Sequence, residues 1–220
     1  KSTLASGYSS TAMGEDTEAS GSYSIAMGSN TTASGYISTA MGDNTTADGL
    51  HSTAMGQNTT ATGTWSTAMG DANNALGDGS TAIGGSSTAS GNYSTTIGSN
   101  NSAIGNYSIA MGRSSTAGGN YSLAIGKDVT ANGIGTLIVG DSNPGGLVYT
   151  SGTSDKFIAR FYNGYYFLTS ATGATATGVN IGHGQTAWSS ISDSTKKENF
   201  IVADGDAFLE KLKGLSLGSW

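Results

Sequence analysis

From Ala5 to Pro144 the chain repeats itself every 14 residues, ten times, with no insertion or deletion. Position 1 of the unit is Ala in all ten copies, from Ala5 to Ala131. Positions 3 and 10 are Gly in all ten, from Gly7 to Gly133 and from Gly14 to Gly140. Position 6 is Ser in nine, with Thr136 as the exception, and position 8 is Ala in eight, with Thr96 and Ile138 as exceptions. Position 9 holds every Met of the chain (Met13, Met27, Met41, Met55, Met69 and Met111), and Ile83, Ile97, Ile125 and Val139 fill it elsewhere. A period this strict means that each unit is one coil, stabilised by stacking on its neighbours.

Fourteen is two heptads, but a coiled coil fails. Every unit would carry at least two Gly inside the helix, at about 1 kcal/mol each against Ala, and Leu at a/d spacing is missing. The chain holds 35 Gly and one Pro, without the every-third-residue Gly of collagen, and only 11% charged residues against roughly 25% in ordinary domains. Ala-x-Gly and Ala-[Met/Ile]-Gly divide each unit into two short strands and two Gly corners, with Asn, Asp, Thr and Ser around the corners. Gly suits corners because it reaches positive φ without steric cost. The pattern predicts an all-β chain, a parallel β-roll of one coil per 14 residues. Coils rising about 4.8 Å each would make a rod on the order of 50 Å long.

Such a coil is flat and closes only over small residues, which accounts for Ala at position 8 and Ser at position 6. Alternation along a strand puts positions 5, 7 and 9 on the other side. Met13, Met27, Met41, Met55, Met69, Ile83, Ile97, Met111, Ile125 and Val139 then form an exposed apolar stripe, which marks an interface. Self-association is expected, and periodicity leaves the number of chains open. The unit Ala-x-Gly-x-x-Ser-x-Ala-[Met/Ile]-Gly resembles the head repeat of trimeric autotransporter adhesins of the YadA type, over residues 5–144. The resemblance implies a left-handed roll, three chains side by side with the Met/Ile stripe at the trimer interface, a bacterial surface setting and an adhesive or spacer role.

The only proline, Pro144, stands where the repeat stops, and proline suits a terminating turn. Residues 5–144 carry 2 basic and 9 acidic residues, and 145–220 carry 6 of each. The expected domains are 1–144, the roll; 145–190, a small aromatic-rich β module; and 191–220, the start of a chaperone-like or capping domain. In the module, Asn163-Gly164 lies between the apolar runs 156–162 and 165–169, a strong hairpin signal. Residues 147–150 and 178–181 are further expected strands. Seven aromatics in 149–167, with Trp188, form this module's core and chain contacts on the plainer reading. On the functional reading, Tyr162, Tyr165, Tyr166 and Trp188 form a ligand surface, since Tyr and Trp favour recognition sites.

Residues 204–213 read as a short amphipathic helix, capped by Asp204 or Asp206 and stopped at Gly214. With the preceding Ser-Asp-x-x-x-Lys stretch, about 30 residues resemble the opening of the endosialidase-type intramolecular chaperone domains of phage tail fibres. That resemblance implies self-cleavage between Ile191 and Ser192 by a dyad of Ser192 and Lys197. The sequence departs from the usual Arg-Leu-Lys, reading Thr195-Lys196-Lys197.

The remaining signals exclude more than they suggest. Cys is absent, which removes disulfides and thiol chemistry. The net charge of −6 and the lack of a basic patch argue against nucleic acid. No apolar run reaches the roughly 18 residues of a membrane span. His51 and His183 lack ligand-spaced partners, so no metal site or cofactor is expected. A glycosidase would need paired carboxylates, and 145–190 holds one, Asp155. The chain is expected to be an excerpt of a longer protein, a homotrimeric fibre or adhesin segment outside the cell. Its partner would be a host or prey cell-surface glycan or protein, met by multivalent attachment. A phage tail-fibre tip on a virion is the alternative. Adjacent threonines at 31–32, 45–46 and 59–60 raise a minor one, an ice-binding solenoid.

Overall fold

The computed structural model describes residues 2–141, 149–170 and 177–191. Every described element is a strand, and the chain forms two compact units, Lys1–Tyr162 and Asn163–Trp220.

The first unit is the expected roll. Each 14-residue coil gives a short strand from positions 14 and 1, such as Glu18–Ala19, and a longer one from positions 7–11, such as Ile25–Ser29. The short strands stack into one parallel sheet of eleven and the long strands into another. Register is one coil per rung: Ala68 partners Ala54 and Ala82, and Met69 partners Met55 and Ile83. Identical side chains therefore stand in files along the roll.

Alternation sorts those files. On the long strands Ser24 and Ala26 point inward while Ile25 and Met27 point outward, and on the short strands Thr17 and Ala19 point inward while Glu18 points outward. The core is thus four files: Ala at position 1, Ser at 6, Ala at 8, and position 13. Position 13 runs Thr17, Thr31, Thr45, Thr59, Asn73, Ser87, Asn101, Ser115 and Val129, all buried. Nothing in that file looks like core in the sequence until Val129. The four threonines fill the space with hydroxyls that have no hydrogen-bond partner among the described residues, whereas the asparagines and serines bond the backbone of the adjoining turns. Asn101 Nδ2 donates to the carbonyls of Ile97 and Gly112, 2.9 Å each, and its Oδ1 accepts from Ser115 N at 3.0 Å. Asn73 does the same with Met69, Gly84 and Ser87.

The corners are not those expected. Position 10 is in the left-handed region from Gly14 to Gly126, as at Gly28 with φ 131°, but not at Gly140. Position 3 is not: there Gly is required because a Cβ on Gly63 would run into the backbone of Gly77, one coil on. The left-handed turns proper are made by non-glycine residues at positions 5 and 12, including Tyr23 (φ 60°), Ile37 (53°), Trp65 (57°) and Asn44 (53°). That conformation costs roughly 1–2 kcal/mol for a residue with a Cβ. The stacked ladder holds it in place, with Ile37 N donating to Ser22 O at 2.9 Å and Tyr23 N to Tyr8 O at 2.8 Å.

The roll does not stop at Pro144. Tyr149–Ser151 pairs parallel with Val129–Ala131, and Phe157–Arg160 with Leu137–Gly140, making an eleventh coil. Leu137 partners Phe157, twenty residues on, so this coil carries six extra residues. The hairpin expected at Asn163-Gly164 does not form. Phe157–Arg160 belongs to the roll, where it completes the open edge of Leu137–Gly140 and lays Ile158 against the cluster around Ile138. A full row of strand partners and apolar burial outweigh a local turn preference. The segment 145–190 is therefore shared between the two units rather than being one module.

In the second unit Gly164–Ser170, Thr177–Gly182 and Ser189–Ile191 form a three-stranded antiparallel sheet in that order. The first two contain strands expected from the sequence; the third was not foreseen. The helix expected over 204–213, with Ser192 and Lys197, lies outside the described residues.

Candidate functional site

The two sheets of the roll present unlike outer faces. On the long-strand sheet, positions 7 and 9 point outward. Position 9 is the Met/Ile file: Met27, Met41, Met55, Met69, Met111, Ile125 and Val139 are half-buried, and Met13, Ile83 and Ile97 are exposed. Beside it, position 7 is mostly Thr, with Ile25, Ile109, Leu123 and Leu137. On the short-strand sheet the outer residues at position 14 are chiefly Thr, Ser and Asn. One face of the roll is a continuous apolar strip one coil wide per rung, and the opposite face is polar. The strip is bare in the single chain because the core is already filled by Ala, Ser and Thr files.

The paired threonines separate between inside and outside. Thr31, Thr45 and Thr59 are buried, and Thr32, Thr46 and Thr60 lie half-buried on the polar face. The surface file passes through Asn74 and Ser102 and includes Thr88, Thr116 and Thr130.

Aromatic side chains gather at two places. At one corner of the roll, rings meet from coil to coil. Tyr8, Tyr23, Tyr36 and His51 meet edge to face at 5.5–5.8 Å, and Tyr93, Tyr107 and Tyr121 stack at 5.1 and 5.2 Å. His51 is thus a member of a ring ladder. In the second unit, Trp188 packs against Tyr165 (6.4 Å) and Phe167 (5.3 Å).

Of the four residues expected as a ligand surface, the structure brings Tyr165 and Trp188 together and adds Phe167. Strand alternation turns Tyr166, 66% exposed, to the other face. Tyr162 ends the first unit, its backbone N–H donating to the Asp141 carboxylate at 3.3 and 3.4 Å. The stacked tyrosines of the roll were not foreseen as a surface. Their signal was the thrice-repeated Gly-Asn-Tyr-Ser at 91–94, 105–108 and 119–122.

Among the described residues no group of His, Asp and Glu is arranged to hold a metal ion, and no helix is long and apolar enough to cross a membrane.

No curated protein matches the chain. The family profile described as YadA head domain repeat (2 copies) matches residues 5–31, 33–59, 47–73, 61–85, 75–101 and 103–128. These segments cover more than half of the sequence and coincide with the coils of the roll, and the chain belongs to the YadA head repeat family.

Proposed function

We propose that this chain is a head segment of a trimeric adhesin at a bacterial surface, and that it attaches the cell to a glycan or protein on another surface. The observation that carries this reading is the apolar outer strip from Met13 to Val139 on a roll whose family is that of adhesin heads. Three left-handed rolls placed with these strips inward would bury Met and Ile at roughly 25 cal/mol per Å² of apolar surface. The polar faces and the corners would stay in water. The rod then acts as a stiff spacer, and its role is structural rather than enzymatic. The second unit supplies a candidate contact surface around Tyr165, Phe167 and Trp188.

Attachment by such a head is multivalent. Three copies of a weak site raise avidity without any new contact, commonly by about 10² or more. The test is attachment of the chain to surfaces coated with matrix proteins or glycans, compared with a variant made monomeric by Met55→Glu and Met69→Glu. The assembled chain should hold on about a hundredfold more tightly, and Trp188→Ala should weaken both forms. Equal attachment by the two forms would contradict the multivalent reading.

A further inference from the structure

Three consecutive coils carry the same corner. Gly91-Asn92-Tyr93-Ser94, Gly105-Asn106-Tyr107-Ser108 and Gly119-Asn120-Tyr121-Ser122 place an asparagine at position 4 and a tyrosine at position 5 of each coil. The coils on either side have Gly79 and Gly135 at position 5, so the patch has two defined ends. The three rings are parallel, within 9° and 2° of each other, at 5.1 and 5.2 Å. They lean toward the lower-numbered coil. Tyr93 lies over Gly79, where a Cβ would meet its Cδ1 at 2.6 Å. Tyr121 ends the stack, since the next coil has Gly135 in place of a ring and the Asp155 carboxylate stands over that glycine, where a Cβ would meet its Oδ1 at 2.6 Å. Tyr121 is 64% exposed against 49% and 50% for Tyr93 and Tyr107.

The asparagines are held by their oxygens. Asn92 Oδ1 accepts from Asp78 N (3.1 Å), Asn106 Oδ1 from Asn92 N (3.0 Å) and Asn120 Oδ1 from Asn106 N (2.9 Å). Each carboxamide is thereby fixed with its Nδ2 donors unused among the described residues. The backbone at all three tyrosines is left-handed, φ 56–59°, although Gly79 and Gly135 occupy the same corner at no such cost. Ring stacking, at about 0.5–1.5 kcal/mol per pair, offsets this strain only in part. The same left-handed φ at Tyr23, Ile37, His51 and Trp65 makes this strain a property of the corner throughout the roll. What sets these three coils apart is the identical Asn-Tyr pair and its parallel stack.

We propose that this ridge binds an uncharged linear glycan laid along the roll axis, about one sugar per coil. Each coil offers one fixed amide donor and one phenol hydroxyl, which complement sugar hydroxyls, and none of the six side chains is charged. A pyranose linked across its ring advances by about one ring length per sugar, close to the spacing of the tyrosine centroids. An extended peptide advances about 3.3 Å per residue and falls out of register with the coils. The exposed ring of Tyr121 receives the C–H face of the last sugar, and the Asp155 carboxylate over Gly135 is an acceptor for that sugar's hydroxyls. The ridge belongs wholly to the first unit, whereas Tyr165 and Trp188 belong to the second, so it is proposed in addition to the attachment surface above.

The test is calorimetric titration of the whole chain with cellohexaose and with chitohexaose, followed by their shorter homologues. Saturable binding of at least one series is expected, rising to three or four sugars and then levelling. Tyr107→Gly should weaken it about tenfold. It should leave the fold intact, because Gly79 and Gly135 hold the same backbone elsewhere. Replacing all three tyrosines by Gly should abolish binding without altering attachment through Trp188. No saturable binding of either hexasaccharide would overturn the proposal. So would binding that survives the triple replacement, or binding only to a protein ligand.

Discussion

Gly63 sits directly beneath Gly77, so close that a Cβ on the first would overlap the carbonyl of the second. The contact is backbone to backbone, and no side-chain rotamer can relieve it. Gly63→Ala should therefore separate two rungs and lower stability by about 3 kcal/mol or more. Gly85 is the control: a Cβ there meets nothing within 4 Å, and its φ is ordinary. Gly85→Ala should be neutral or up to about 1 kcal/mol stabilising, through the unfolded chain. Thermal melts of the two variants test this directly.

Asn101 ties three backbone groups that would otherwise be buried and unpaired. Asn101→Ala should cost about 3 kcal/mol, since each orphaned buried group costs roughly 1–3 kcal/mol. Asn101→Ser should recover part of the loss, because Ser115 at the same position of the next coil donates to Gly126 O at 3.0 Å. Urea midpoints for the two variants should fall in that order. Equal loss for both would mean that the file only fills space.

The Ala files define how thick the roll can be. Ala68 is fully buried between Ala54 and Ala82. Ala68→Ile should overpack the coil and cost about 1–3 kcal/mol. Ile138 occupies the same position near the far end, beside Val129 and Ile158. There the reverse change, Ile138→Ala, should leave a cavity and cost about 2–5 kcal/mol. A destabilised Ala68→Ile beside a neutral Ile138→Ala would show that the core does not widen toward its end.

Much of this was legible in the residues because the repeat is strict. Ala and Ser at positions 8 and 6 announced a thin core, and Met and Ile at position 9 announced an outer apolar file. Position 13 was not legible, since Thr31, Asn73 and Ser87 read as corner residues. Hydrogen bonds to the backbone explain the burial of Asn73 and Ser87, and Thr31 is buried by strand alternation alone, its hydroxyl without a partner among the described residues. Glycine at position 3 was read as a turn former, whereas the constraint is contact between coils. The eleventh coil was hidden because Thr153, Lys156 and Arg160 stand where its registered partners carry Gly133, Thr136 and Gly140. Strands at 147–150 and 156–162 were legible, but that they belong to the roll depends on their pairing. Of the candidate contact surface, Tyr165 and Trp188 were legible as aromatics. That Phe167 shares their face and Tyr166 does not depends on strand register.

The outer strip makes a separate prediction at Met55 and Met69. Both are half-buried in the single chain and pack on no core file. Met55→Glu with Met69→Glu should leave the melting of an isolated chain within about 1 kcal/mol of unchanged, about 0.5 kcal/mol per surface site. The same pair should dissociate any assembly, because two charges per chain would be desolvated in its centre. Sedimentation of the double variant beside the parent chain reads both effects.

The most direct test of the whole account is the native mass of the 220-residue chain, measured by light scattering at two concentrations. A concentration-independent mass three times the 21.9 kDa of one chain is the predicted result. A stable mass of 21.9 kDa would leave the Met/Ile strip in water and contradict the trimeric head.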